Sequence, residues 1–187
     1  MILFKIMCYN VIEVLMTKFI LIRHGEPRYD QVLRKESYSL GYDFGKLTIN
    51  GIEQAKKVAT DPRLTDADII VSSPFTRALQ TAANIAAIKN LEVLVENDLH
   101  EWIPDINMTG KINGEFAFKS YMSNNGFKSN DKFNYETYEE LKKRIELALI
   151  KYTNYKKVIV VSHGIAISSL THFNDVIEFC GIREIEI

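Results

Sequence analysis

Two histidines, each followed by glycine and preceded by an apolar run, are the residues best suited to chemistry in this chain. They are His24 in Phe19 to Glu26 (FILIRHGE) and His163 in Val158 to Gly164 (VIVVSHG). Arg23 adjoins the first, and Arg77 follows a third apolar run, Ile69 to Val71, that stops at Ser72-Ser73-Pro74. Two histidines with a nearby acid would suit zinc, but two guanidinium groups beside them oppose a dication and favour an anion. Phosphate fits that set. A guanidinium presents a planar fork of donors to two phosphoryl oxygens, and helix amino termini after Gly25, Pro74 and Gly164 would add backbone N–H groups. One imidazole can then accept the phosphoryl group on its nitrogen.

Bringing these groups together is the work of strands. Each apolar run reads as a buried strand that delivers its polar residues at the carboxyl end, where open α/β sheets hold ligands. Strands at 19–22, 69–72 and 158–161, joined by right-handed crossovers, place the following loops along one sheet edge. Helical spacing of Ile52, Ala55, Val58 and Ala59 predicts a helix over 49–59, and that of Ala78, Ala82, Ile85 and Ala86 one over 74–89. Thr137 and Glu140 form a capping box ahead of the stripe Leu141, Ile145, Ala148 and Leu149, with Lys142, Lys143 and Arg144 read as a solvated charge run. A short helix is expected over 165–171, and further strands over 92–95 and 182–187. The whole describes a three-layer α/β/α sandwich with a mostly parallel central sheet, undivided by any repeat, low-complexity tract or linker.

RHGE, SSPFTRALQTA, LHE and VSHG, in that order, resemble the histidine phosphatase superfamily, also called phosphoglycerate mutase-like. The resemblance runs from Lys18 to about Phe179, and LTINGIEQAKKVA is similar to the family helix that follows the first motif. It implies that His24 is the nucleophile and that Arg23, Arg77 and His163, with Gly25 and Gly164 beside them, hold the phosphoryl oxygens. In the same way it implies that Glu101 of Leu99-His100-Glu101 gives a proton to the leaving group and then activates water. Glu96, Asp98 and Asp105 compete nearby for that role. The arginines are expected to keep His24 neutral, and also to hold the Glu101 pKa down until a dianionic phosphate raises it. No metal or cofactor is called for, and the implied substrate is a small phosphorylated metabolite whose identity stays open. Pro27 and Asp30 depart from the family, which often has Thr or Ser and then Asn there, and Gly45-Lys46-Leu47-Thr48 replaces the more usual Pro-Leu-Thr. Three other readings stand beside a phosphatase: a phosphoglycerate mutase-like phosphotransferase, a protein phosphohistidine phosphatase, and a non-catalytic phosphate-binding module.

Composition narrows the class further. The chain has 187 residues, is 47% hydrophobic and carries a formal charge of −1, which suits one compact domain and gives no electrostatic footprint for nucleic acid or an acidic membrane surface. Cys8 and Cys180 lie at opposite ends with no paired spacing, so a reducing, cytoplasmic setting is expected. Residues 1–15 are apolar but interrupted by Lys5 and Glu13, too short for a span, and read as an extension ahead of a domain over 16–187. Residues 103–135 read as a long irregular insertion. Either it caps the site, with Lys111, Lys119 and Lys128 reaching acidic groups and Phe116, Phe118, Tyr121 and Phe127 forming an apolar wall, or it is a solvated loop held by its aromatics. Trp102 either walls the pocket or fills the core.

Overall fold

The run Lys18–Arg23 forms strand β1 of the computed structural model, which describes residues 16–30, 32, 42–110, 112–128 and 133–187. The expected extension with Cys8, and Lys111 of the insertion, lie outside these residues. Strands β4 (Ile69–Ser72), β5 (Val93–Val95) and β6 (Lys157–Ser162) join β1 in parallel, and β7 (Ile182–Glu186) closes the sheet antiparallel to β1, giving the order β5-β4-β6-β1-β7. Two short strands, β2 (Pro27–Arg28) and β3 (Lys46–Leu47), pair separately.

Alternation along the strands splits the core into two layers. Phe19, Leu21, Ile69, Val71, Val158 and Val160 face one cluster, and Ile20, Ile22, Ile70, Ile159 and Val161 face the other. Helices α1 (Ile49–Val58) and α2 (Thr76–Lys89) supply Val58, Ala78, Ala82 and Ile85 to the second. Helices α4 (Tyr138–Ile150) and α5 (Gly164–Ser168) supply Leu141, Ile145, Ala148, Leu149, Ala166 and Ile167 to the first. The expected three-layer sandwich with a mostly parallel sheet is therefore the fold. The capping box is present at α4: Thr137 Oγ1 accepts from Glu140 N, and Glu140 Oε2 accepts from Thr137 N at 2.8 Å. Such a cap contributes about 1 kcal/mol.

Two stretches differ from the sequence reading. No helix begins directly after Gly25; the chain enters β2, and among the described residues the first α-helix, α1, begins at Ile49, capped by Thr48. The 103–135 stretch is not wholly irregular, because Gly114–Ser123 forms helix α3 with Asn113 as its N-cap. Its Ala117 and Tyr121 are buried, the latter among Trp102, Tyr135 and Phe173 with ring centroids 5.0, 5.7 and 5.6 Å away. Trp102 fills the core and donates Nε1–H to Glu136 O. Lys119 pairs with Glu115 on the exposed side of α3, and Lys128 donates to Tyr135 O and Asn134 Oδ1. Phe116, Phe118 and Phe127 remain exposed. Among the described residues no helix is long and apolar enough to cross a membrane.

Candidate active site

The parallel ladder places the four basic groups by carrying its register one step beyond the strands. Arg23 stands opposite Ser162, and Ser72 opposite Val161; His24 N then donates to Ser162 O at 3.0 Å and Ser73 N to Val161 O at 2.9 Å. The two histidine rings consequently meet edge to face, with centroids 5.2 Å apart.

His24 is buried, and its Nδ1 lies 2.8 Å from Gly25 O. A carbonyl only accepts, so Nδ1 carries the proton and Nε2 bears the lone pair. Arg77 confirms that assignment by donating Nε–H to Nε2 at 3.1 Å. Burial, then the positive charge of Arg77 and of Arg23, lower the His24 pKa to about 3, so the ring is neutral at physiological pH, as expected from the arginines. Gly25 has a part other than the expected one. Its N–H donates to Thr81 Oγ1 at 3.0 Å and so is committed within the protein, while a Cβ there would lie 2.5 Å from Gly51 O. The residue is small because the loop touches α1.

Arg77 sits in the first turn of α2, where its Nη1 donates to Tyr42 O at 2.8 Å and its guanidinium lies over the Phe75 ring. Arg23 stacks over Phe179 at 4.3 Å and donates Nη1–H to Ile177 O, and burial lowers its pKa. Its Nε is buried without a partner among the described residues. Gly164 lies against that group: a Cβ on it would stand 3.5 Å from Arg23 Nε. His163 is fully buried with Nε2 2.7 Å from Ser73 Oγ, which also accepts from Phe75 N at 3.3 Å. The Ser73 proton has its outlet at Nε2, which leaves the His163 proton on Nδ1. That Nδ1 is buried and has no partner among the described residues. Burial, then Arg77, put the His163 pKa well below its ordinary value.

Glu101 is the acid of this group. Its Oε1 accepts from Trp102 N at 2.9 Å and Ala166 N at 3.0 Å, and its Oε2 from Ile165 N at 3.4 Å. The expectation that the arginines hold its pKa down is overturned: burial raises it and outweighs the lowering by Arg77 and the three backbone donors. The competing acids lie elsewhere. Glu96 and Asp98 pair with Lys151, and Asp105 accepts from Thr109. His100 is a loop residue stacked on Phe75, with Nδ1 donating to Glu101 O.

Several members of the site were not visible in the sequence. Tyr42 contributes a carbonyl, for which no side-chain signal exists. Tyr29 packs its ring against that of Tyr42, tilted by 58° with centroids 5.0 Å apart, and feels the charges of Arg77, Glu101 and Arg23, and burial raises its pKa. Asp43 also faces the field of Arg77, with a pKa raised by burial. Of the departures after Glu26, Pro27 opens β2, and Asp30 is gripped by both arms of Arg28 at 2.8 and 2.6 Å. Among the described residues no three His, Cys, Asp or Glu side chains gather as a metal site.

Residues 19–178 match the family model of the histidine phosphatase superfamily (branch 1). An uncharacterized phosphatase of Bacillus subtilis is 32% identical over 159 residues, covering 83% of this chain and 76% of that protein. Phosphoserine phosphatase 1 of Hydrogenobacter thermophilus is 38% identical over 86 residues, and the match covers 46% of this chain but only 39% of that enzyme. Among solved structures, a mutant phosphoserine phosphatase from Entamoeba histolytica in complex with phosphoserine is 29% identical, with a TM-score of 0.64 over 90% of both chains.

Proposed function

The chain belongs to the histidine phosphatase superfamily (branch 1), and from that premise we infer that it hydrolyses small phosphate monoesters through a phosphohistidine on His24. One observation carries the reading. Among the described residues two buried side-chain nitrogens lack hydrogen-bond partners, Arg23 Nε and His163 Nδ1, and both belong to side chains beside His24: Arg23 precedes it in the chain and His163 meets its ring edge to face. Unpaired buried donors are costly, and an anionic oxygen relieves both.

In the first displacement the His24 Nε2 lone pair attacks phosphorus and the bond to the leaving oxygen breaks. Glu101, whose raised pKa suits an acid, transfers its proton to that oxygen. Arg77 shifts its Nε–H from the nucleophile to a phosphoryl oxygen, and Arg23 and His163 hold the others, stabilising the charge of the transition state. In the second displacement Glu101, now a carboxylate, takes a proton from water as its oxygen bonds to phosphorus, and His24 leaves with its electron pair. Two of the relatives are named for phosphoserine, so serine phosphate heads the substrate panel.

The test is phosphate release from serine phosphate and other small monoesters, with labelled substrate quenched without acid. We expect turnover by the wild type and an acid-labile, base-stable label that His24→Ala abolishes. Label surviving on that variant would move the nucleophile elsewhere, with His163 the first candidate; absence of turnover over the whole panel would favour a binding module.

A further inference from the structure

Residues 98–101 overlap a single turn at 97–99 and belong to no helix or strand of more than three residues, yet every carbonyl in them is held by a named donor. Arg144 Nη1 donates to Asp98 O at 2.6 Å and to His100 O at 3.1 Å, and its Nη2 to Glu101 O at 3.4 Å. Ser162 Oγ donates to Leu99 O at 2.8 Å, and His100 Nδ1 to Glu101 O at 2.7 Å. The guanidinium is itself fixed by Glu136 in a fork, Nε to Oε1 at 2.7 Å and Nη2 to Oε2 at 2.8 Å, with side-chain exposures of 15% and 7%. Glu136 then grips the far side of Glu101. Its Oε2 accepts from Ile103 N, its backbone N–H donates to Ile103 O at 2.9 Å, and its carbonyl accepts from Trp102 Nε1.

We propose that Arg144, held by Glu136, is a positioning residue that fixes residues 98–103 and so aims the Glu101 carboxylate for proton transfer. The pair lies outside the phosphate-binding set: neither residue bonds to Arg23, His24, Arg77 or His163 by any contact described above. Only a planar fork can bond one carboxylate twice while the same group meets three carbonyls; an ammonium is a single point of charge. Misplacement of a reacting group by about 1 Å costs on the order of 100-fold in rate, so the clamp need only slip for proton transfer to suffer. This inference rests on the assignment of Glu101 as proton donor.

The experiment compares Arg144→Lys with Glu101→Gln on an alkyl ester, serine phosphate, and on an activated aryl ester whose phenol leaves without a proton. Arg144→Lys should lower kcat on the alkyl ester about 10- to 100-fold. The rate of the phenol burst from the aryl ester should stay within about threefold of wild type. Glu101→Gln should show the same split, more strongly. Equal slowing of both esters by Arg144→Lys, or slowing of neither in a folded variant, overturns the positioning role while leaving Glu101 in place. Absence of a split in Glu101→Gln overturns both, since there would be no donor to aim. Circular dichroism and thermal melting establish that the variants fold. Should Arg144→Lys not fold, Glu136→Gln carries the same expectation, and misfolding of both would assign the pair to the fold alone and overturn the proposal.

Discussion

The basic floor of the site and its acidic wall are held in place by different means. Arg23, His24 and His163 stand within one residue of the ends of two adjacent parallel strands, in register with the ladder, and Arg77 follows the next strand by five residues. Glu101 comes instead from a loop after the edge strand β5, and its backbone is held by Arg144 of α4 and by Glu136, just ahead of that helix. The difference teaches where each half is vulnerable. The floor takes its geometry from hydrogen bonds shared by the whole sheet, so it is damaged chiefly by replacing the groups themselves. The wall is held by separate local bonds, the Arg144–Glu136 pair among them, and on the positioning role proposed above it is open to damage from a distance.

The largest expected effect lies on the floor. His24→Ala removes the attacking lone pair, and turnover of serine phosphate should fall roughly 10⁴-fold or more, read as phosphate release. A residual rate near wild type would break the comparison at its root. Arg77→Met should lower kcat by about 10²- to 10³-fold, the usual loss on removing a donor to a developing charge. It should also raise the His24 pKa from about 3, though not to 6.5, because burial is the larger cause; a histidine NMR titration reads this directly. Because the unfolded ring takes up a proton near 6.5 and the folded one only near 3, stability contributed by neutral His24 is present above pH 6.5 and is lost progressively as pH falls towards 3. Denaturant midpoints should follow that slope, and Arg77→Met should flatten it.

Ser73→Ala is a milder probe of the same floor. It frees His163 Nε2 to take the proton from Nδ1, and kcat should drop about 10-fold with little change in fold. An undiminished rate would show that the His163 tautomer is set without Ser73. The smallest effect belongs to the excursion around α3. Lys119→Ala breaks an exposed pair with Glu115, and the denaturation midpoint should hardly move, with kcat and KM unchanged. A raised KM would restore the reading in which Lys119 reaches an acidic substrate.

Sequence legibility divides along the same line. Runs such as Ile69 to Val71 that halt abruptly at polar residues encode both a buried strand and the place where it ends, so the fold and the gathering of His24, His163, Arg23 and Arg77 were readable. Helix α3 was not, because Phe116 and Phe118 project from the helix outside the buried pair Ala117 and Tyr121 and blur its period. Arg144 was hidden in a charge run with Lys142 and Lys143, although it falls at helical spacing between Leu141, Ile145 and Ala148, which are buried. A cation on an apolar stripe was the available signal. The raised pKa of Glu101 could not be read at all, since it depends on how much burial outweighs three backbone donors and a nearby guanidinium.

The sheet order has a consequence for how the protein is made. Strand β1, which carries Arg23 and leads into His24, lies between β6 and β7, the two strands of the sheet furthest from it in sequence. The tail beyond β6 also closes on it: Arg23 donates to Ile177 O and Gly181 O, and Cys180 N donates to Arg23 O and His24 O. Chains grow from the amino end at about 5 to 20 residues per second, so His24 emerges from the ribosome well before the residues that close on it and waits on the order of ten seconds or more for them. Pairings this distant in sequence also form slowly once the chain is complete. A nascent chain halted before Ile177 therefore carries every group of the basic floor without the bonds that close on Arg23 and His24, so on the proposed function phosphoryl transfer waits for the segment from Ile177 to β7.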